Sequence, residues 1–394
     1  MSGELRRVVI VGAGIAGLKV AEGLRRESFT GDVIMIGDES YAPYDRPSLS
    51  KDVLTGKAQA EDIFIRPLER FSQLGVELML GQRAQAADLK GRILLTDASE
   101  IPFDGLVIAT GSSARRLSGA DFDQGTLSLR TLDDALQLRA VLCSARHVTI
   151  VGAGFIGSEV AAAASGLGCE VTLVEMDAFP LGRVVRPEVG ASLGRIHDAH
   201  GIDFRPSTRL AALRQGRARL SDGSEFSTDV VVAGVGASPN TEWLKESGLT
   251  IRDGIVCDAS LNAGPPGIFA VGDVVNWPNS LFGERMRVEH WTNASAQGAV
   301  VAHNLLHQAS EHFARPNYVW SDQYGIRIQL VGLTTGPDFE VVSGSLSSQT
   351  FLVWHRTNNR LVGACAVGCP EMGLKSADLI ASRTPWPDAV AALE

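Results

Sequence analysis

Two glycine-rich turns in this chain share one spacing. Gly12-Ala13-Gly14-Ile15-Ala16-Gly17 follows the run Val8-Val9-Ile10-Val11, and Gly152-Ala153-Gly154-Phe155-Ile156-Gly157 follows Val148-Thr149-Ile150-Val151. In such a turn the first glycine permits the tight bend, and the second lets the backbone approach a pyrophosphate. The third lets the following helix pack closely on the strand. The helix N-terminus then offers unsatisfied N–H groups and a partial positive charge to the phosphates. An acid closes each unit: Asp38, with Glu39 beside it, after the first, and Glu175 after the second. A carboxylate there accepts hydrogen bonds from ribose hydroxyls and repels a 2′-phosphate. Glu175 therefore points to NADH at the second turn, with nearby Arg183 leaving NADPH as a weaker donor. One such turn is a weak signal. Two, each complete, indicate a chain that holds two dinucleotides.

The elements that must position these residues repeat as well. Each turn sits between a β-branched strand and a helical stretch, and each unit continues into a second apolar strand, Val33-Ile34-Met35-Ile36 or Val171-Thr172-Leu173-Val174. Two further apolar strands end in small-residue turns, Leu106-Val107-Ile108-Ala109-Thr110-Gly111 and Ile268-Phe269-Ala270-Val271-Gly272-Asp273. The fold class is α/β, with two Rossmann-like domains and a C-terminal α+β domain. The expected domains are 1–113 with 242–318, then 114–241, then 319–394. Ile326–Gly332 and Thr350–His355 are expected strands of the last domain, with a turn at Asn358-Asn359 and the alternation of a half-exposed antiparallel sheet.

Bulk properties narrow the classes. At 394 residues the chain exceeds what one core serves. A net charge of −9 excludes a phosphate-neutralising nucleic-acid binder. The pairs Arg6-Arg7 and Arg25-Arg26 read as a strand start and a helix end. Five scattered cysteines give no disulfide framework and suit a reducing compartment. Cys365 and Cys369 lack the usual redox spacing and read as structural, and no metal site is expected. Glycines at 12, 14 and 17 and Lys19 interrupt the apolar stretch that follows Arg6-Arg7, so it is not read as a signal peptide. No apolar window is long enough for a membrane span. The expected location is the cytoplasm.

An ordered set of motifs resembles the FAD-dependent ferredoxin reductases that serve aromatic-ring dioxygenases and bacterial haem monooxygenases, close to the rubredoxin reductases. These are Pro43-Tyr44-Asp45-Arg46-Pro47-Ser48-Leu49-Ser50-Lys51, Leu129-Arg130-Thr131-Leu132-Asp133-Asp134-Ala135, Val288-Glu289-His290-Trp291-Thr292-Asn293-Ala294 and Trp320-Ser321-Asp322-Gln323. The match runs from about residue 6 to about residue 365, and the tail beyond about 370 carries no assignment. The resemblance implies FAD contacts at Gly12, Gly14, Ala16, Asp38, Arg46, Lys51, Ala84, Arg130, Asp273 and Trp291. It implies nicotinamide-nucleotide contacts at Gly152, Gly154, Ile156, Glu159, Glu175, Arg183 and Gly236.

Lys51 and Glu159 are the implied catalytic residues, expected as an ion pair beside the flavin. Trp291 and Trp320 are the implied aromatic walls. The implied partner is a [2Fe–2S] ferredoxin of Rieske or plant-like type feeding an oxygenase, and the implied assembly is a monomer or weak homodimer. Residues 38–56 contain no cysteine, which disfavours direct thiol chemistry. A rubredoxin reductase, an NADH oxidase and an NADH-dependent redox-sensing flavoprotein are the competing readings.

Overall fold

The computed structural model describes residues 5–117, 119, 121–122, 126–307 and 310–393. Contacts divide the chain into two units. One comprises Met1–Asp45, Ile63–Ser113 and Ser238–Asn317; the other comprises Arg46–Asp62, Ala114–Ala237 and Tyr318–Glu394. The two glycine turns fall one in each unit.

In the first unit, strand β1 (Arg7–Val11) leads into helix α1 (Ile15–Arg26) and strand β2 (Asp32–Gly37). The sheet is parallel, in the order Ile268–Ala270, Gly105–Ile108, β1, β2, Val76–Leu80. Helices cover both faces of such a sheet, so its strands read as continuous apolar runs and not as alternation. Val8, Val9, Ile10, Leu106, Val107 and Ile108 are all fully buried.

The second unit repeats the arrangement with strand β3 (His147–Val151), helix α2 (Phe155–Gly166) and strand β4 (Glu170–Val174). Its parallel sheet runs Asp203–Arg205, β4, β3, Val230–Ala233, Thr126–Leu127. The Thr131-Leu132-Asp133-Asp134 motif is a capping box. The Thr131 side chain accepts from the Asp134 N–H, and Asp134 returns the bond to the Thr131 backbone, which fixes the start of the helix Leu132–Leu142.

The C-terminal part of this unit is a five-stranded antiparallel sheet that begins at Tyr318–Gln323 and includes the expected strand Ile326–Gly332. A further strand spans Phe351–Thr357 and turns at Asn358-Asn359, both with positive φ. The half-exposed alternation expected of this sheet is not what forms. Arg360–Val367 and most of Phe351–Thr357 are buried on both faces. One face, through Ile328, Leu330, Val353 and Cys365, packs on Val189, Leu193 and Ile196 of the helix Pro187–Ala199. On the other, Gln329 meets Gly373 and Trp354 Nε1 donates to Ser376 Oγ at 2.8 Å, both partners lying on the helix Pro370–Ala381.

This packing buries a histidine. His197 has no exposed surface, its Nδ1 lies 2.8 Å from the Tyr324 hydroxyl, and His200 stacks on the same tyrosine ring at 4.1 Å. Desolvation, with repulsion from His200 second, pushes His197 down from 6.5 to about 4. The unfolded chain therefore binds the proton first as pH falls. Stability from this group is complete above 6.5 and is lost as pH drops toward 4, by about 3 kcal/mol. Urea unfolding from pH 7 to 4 should show this slope in wild type and a shallower one in His197→Gln; equal slopes would contradict it.

Candidate functional site

In the first unit the Gly12 N–H donates to Ile36 O at 2.7 Å, and the Leu18 N–H closes the first helical turn on Gly14 O at 3.0 Å. The second unit makes the same bonds: the Gly152 N–H to Val174 O at 2.7 Å and the Ser158 N–H to Gly154 O at 2.9 Å. Gly12 and Gly152 have positive φ, and a Cβ built there would meet Ala109 O at 2.1 Å or Gly234 O at 2.4 Å. A Cβ on Gly17 or Gly157 would fall 2.1 or 1.8 Å from the first glycine's own carbonyl. These four glycines are required by the protein itself.

Gly14 and Gly154 differ. Each has negative φ, and a Cβ there would meet no atom of the described residues within 4 Å. Each is the N-cap of its helix, with no side chain capping it and no acid in the first turn. Open space before uncapped N–H groups is what a pyrophosphate requires, so both turns fit a dinucleotide.

Further groups gather around the first turn. Gly272, at the start of a short helical turn, sits against Ala16 and Ala294. The next residue, Asp273, is mostly buried and accepts from Ser112 Oγ at 3.0 Å. Gln297 accepts from the Gly272 N–H at 2.7 Å, while its buried Nε2 has no acceptor among the described residues. Trp291 opens helix α3 (Trp291–His307), Asp38 is exposed after β2, and Ala84 begins the strand Ala84–Asp88.

Around the second turn, Glu175 Oε2 accepts from the Ala153 N–H at 2.6 Å and Oε1 from the Asp177 N–H at 2.9 Å. The carboxylate is thus bound to the glycine turn, with lone pairs remaining for a ligand. Arg183 is largely exposed, 4.0 Å from Asp177. Ile156 is partly exposed at the helix start, and Gly236 has positive φ and open space beside it.

The second unit also contains a buried polar cluster. Residues Leu49–Val53 form a π-helical turn that carries Ser50 and Lys51. Such turns recur at functional sites because they re-aim side chains that a regular helix would disperse. Lys51 Nζ lies 3.1 Å from Glu159 Oε1, 3.8 Å from Asp322 Oδ2 and 5.8 Å from the Trp320 ring centre. Glu159, on α2, is 4% exposed. Its Oε1 also accepts from Ser321 Oγ at 2.8 Å, and its Oε2 accepts from Ser50 Oγ. Gln323 Nε2 donates to Ser321 Oγ at 3.0 Å, and Arg327 holds Asp322 through two bonds of 2.7 and 3.0 Å. A buried charge survives only when paired and hydrogen-bonded, and the Glu159 carboxylate has both, from Lys51 and from the two serine hydroxyls. Arg46 donates to the Arg130 carbonyl, and the Arg130 N–H is held by Asp134 at 2.9 Å.

The structure therefore brings Lys51 and Glu159 together as an ion pair, with Trp320 beside them. Ser50, Ser321 and Asp322 belong to the same cluster, although sequence reasoning gave them no role. Their only signal was a hydroxyl or carboxylate inside two matched motifs. All five cysteines are free. Burial pushes Cys257 and Cys365 up to about 12, and Cys369 Sγ donates to Phe351 O at 3.2 Å, so none of these three is a ready thiolate.

Comparison with known proteins decides the family. Residues 6–298 match the profile of the pyridine nucleotide-disulphide oxidoreductases. The chain belongs to that family. Residues 318–393 match a second profile, the reductase C-terminal domain, which extends the likeness through the tail that sequence reasoning had left unassigned. The ferredoxin--NAD(+) reductase component of the p-cumate 2,3-dioxygenase system of Pseudomonas putida is 38% identical over 94% of this chain and 92% of its own. Putidaredoxin reductase of Pseudomonas putida is 33% identical over 96% of this chain and 92% of its own. The solved covalent complex of putidaredoxin reductase with putidaredoxin superimposes with a TM-score of 0.92 at 32% identity, covering 98% of this chain and 95% of that one. Among the described residues of this pyridine nucleotide-disulphide oxidoreductase, no helix is long and apolar enough to cross a membrane.

Proposed function

We propose that this chain is an NADH:ferredoxin oxidoreductase that uses FAD and supplies electrons to an oxygenase through a [2Fe–2S] ferredoxin. One observation carries the reading: each unit has an uncapped glycine turn, yet residues 38–56 contain no cysteine. The chain binds two dinucleotides but places no thiol after the first to receive electrons, so they leave to an outside acceptor. The dioxygenase-system and putidaredoxin reductases among its relatives support a ferredoxin as that acceptor.

FAD, when bound, can accept a hydride from a nicotinamide and release electrons singly. In the first unit its proposed contacts are Gly12, Gly14, Ala16, Asp38, Ala84, Asp273 and Trp291; in the second they are Arg46, Lys51 and Arg130, with Trp320 as an aromatic wall. NADH is assigned to Gly152, Gly154, Ile156, Glu159, Glu175, Arg183 and Gly236. We keep the three-domain partition, with boundaries near 113, 241 and 318. Five free cysteines support a cytoplasmic location.

The residues bind and orient. Glu159, gripped by Ser50 and Ser321, fixes the Lys51 ammonium in one place, and Asp322 and Trp320 limit its swing. A fixed cation favours negative charge developing near it without reorganisation during the reaction. Glu175, bound to the backbone on both oxygens, can accept from ribose hydroxyls but meets a 2′-phosphate as like charge. We expect kcat/KM for NADH to exceed that for NADPH by about tenfold or more, and Glu175→Gln to narrow the gap. Steady-state rates with both donors check this; an unchanged ratio in the variant removes Glu175 from the preference.

The main test is stopped-flow reduction by NADH, followed by cytochrome c reduction with and without a [2Fe–2S] ferredoxin. Ferredoxin-dependent turnover supports the reading. A long-lived reduced complex with no onward transfer identifies a sensor instead.

A further inference from the structure

A second chemical site stands at the C-terminal ends of α1 and α3, both in the first unit. Glu27 caps α1, and His303 and His307 lie one turn apart at the end of α3. Glu27 Oε2 is 3.2 Å from His303 Nδ1 and 2.8 Å from His307 Nε2, and the three donor atoms all lie within 4.8 Å of one another. The two imidazole centres are 4.7 Å apart. Nothing in the proposed oxidoreductase chemistry uses these groups.

We propose that Glu27, His303 and His307 form a binding site for a divalent transition-metal ion, with zinc the best match. Two imidazoles and a carboxylate are borderline ligands suited to zinc, which takes such sets tetrahedrally with water in the fourth position. At metal–ligand distances of about 2.0–2.1 Å, neighbouring donors in a tetrahedron sit about 3.3 Å apart. The two separations from Glu27, 3.2 and 2.8 Å, lie near that value and the histidine donors lie within 4.8 Å of each other, so the site closes on an ion by side-chain movement alone.

Two independent features favour a cation there. Both helices present their C-terminal, partially negative ends to the site. The helices are also locked together: a Cβ on Gly23 would lie 2.6 Å from Ala302 Cβ, and one on Gly298 would lie 2.6 Å from Lys19 Cβ. Backbones this close cannot slide, and Val20, Leu24, Val301 and Leu305 are buried in the same hydrophobic core. The donors thus come from a rigid pair and not from a loop. Arg26, adjacent in sequence, is exposed and its charge is screened by water. All three donors are partly exposed, which gives an ion access. The bound ion clasps α1 to α3 at the ends away from Gly14 and Trp291.

The test uses untagged, flavin-loaded protein equilibrated with micromolar Zn²⁺, with bound metal counted by mass spectrometry and the thermal midpoint recorded. Wild type should retain one Zn²⁺ per chain and melt several degrees higher with it. His303→Ala and the near-isosteric Glu27→Gln should each weaken binding at least about thirtyfold and abolish the shift. His312→Ala should behave as wild type. The flavin spectrum should stay unchanged throughout, separating this result from any failure of the oxidoreductase reading. The proposal is overturned if wild type retains no more zinc than Glu27→Gln, or if His312→Ala loses the metal equally.

Discussion

Lys51→Met is expected to slow flavin reduction by NADH about a hundredfold or more, with flavin content and NADH binding close to wild type. A hundredfold corresponds to about 2.7 kcal/mol of barrier, within the range for one fixed charge in a water-poor site. The methionine preserves length and apolar bulk. Glu159 keeps Ser50 and Ser321 as donors, and Asp322 keeps Arg327, so neither acid loses all its partners. Glu159→Gln should be milder, about tenfold, because the amide oxygen still accepts and Lys51 still faces Asp322. Ser321→Ala removes one donor and leaves the charges, so it should cost only a few-fold. Single-turnover stopped-flow across NADH concentrations separates the limiting rate from binding. A Lys51→Met enzyme reduced at the wild-type limiting rate would remove this pair from the mechanism.

What the sequence could tell follows from the range of the interactions. The glycine turns were legible because their geometry is local: strand, turn and helix are consecutive, and both turns make the same bond to the next strand, Gly12 to Ile36 and Gly152 to Val174. Glu175 was legible for the same reason. The setting of Glu159 was not, since Ser50 and Ser321 lie 109 and 162 residues away along the chain. Family motifs named Lys51 and Glu159 but not the hydroxyls that hold them. The C-terminal sheet misled in a different way. Alternation suggested one wet face, whereas Val189, Leu193 and Ile196, from a distant part of the chain, cover one side. Glu27 and His303 meet only because two helices far apart in sequence pack at glycine distance.

The two helix-capping glycines, Gly14 and Gly154, give the sharpest separation of the two nucleotides. Most substitutions in these turns are uninformative. Gly12→Ala would drive a methyl into Ala109 O, and Gly157→Ala into Gly152 O, so lost activity would report a broken turn. Gly14 and Gly154 escape this problem. Their φ values of −99° and −73° are open to any L-residue, and an added methyl meets no atom of the described residues within 4 Å. Alanine is a poorer N-cap than glycine by about 1 kcal/mol, a cost the fold should survive. The added methyl then occupies only the space through which a pyrophosphate must reach the N–H groups. Gly14→Ala should weaken FAD retention about a hundredfold, giving folded, nearly colourless protein. Gly154→Ala should purify yellow, with KM for NADH raised about thirtyfold and kcat changed far less, because the loss is in binding and not in the barrier after binding. Circular dichroism and thermal melts confirm folding in both. If flavin is lost from Gly154→Ala and kept by Gly14→Ala, the assignment of nucleotides to turns is reversed. If both variants behave as wild type, neither turn holds a pyrophosphate.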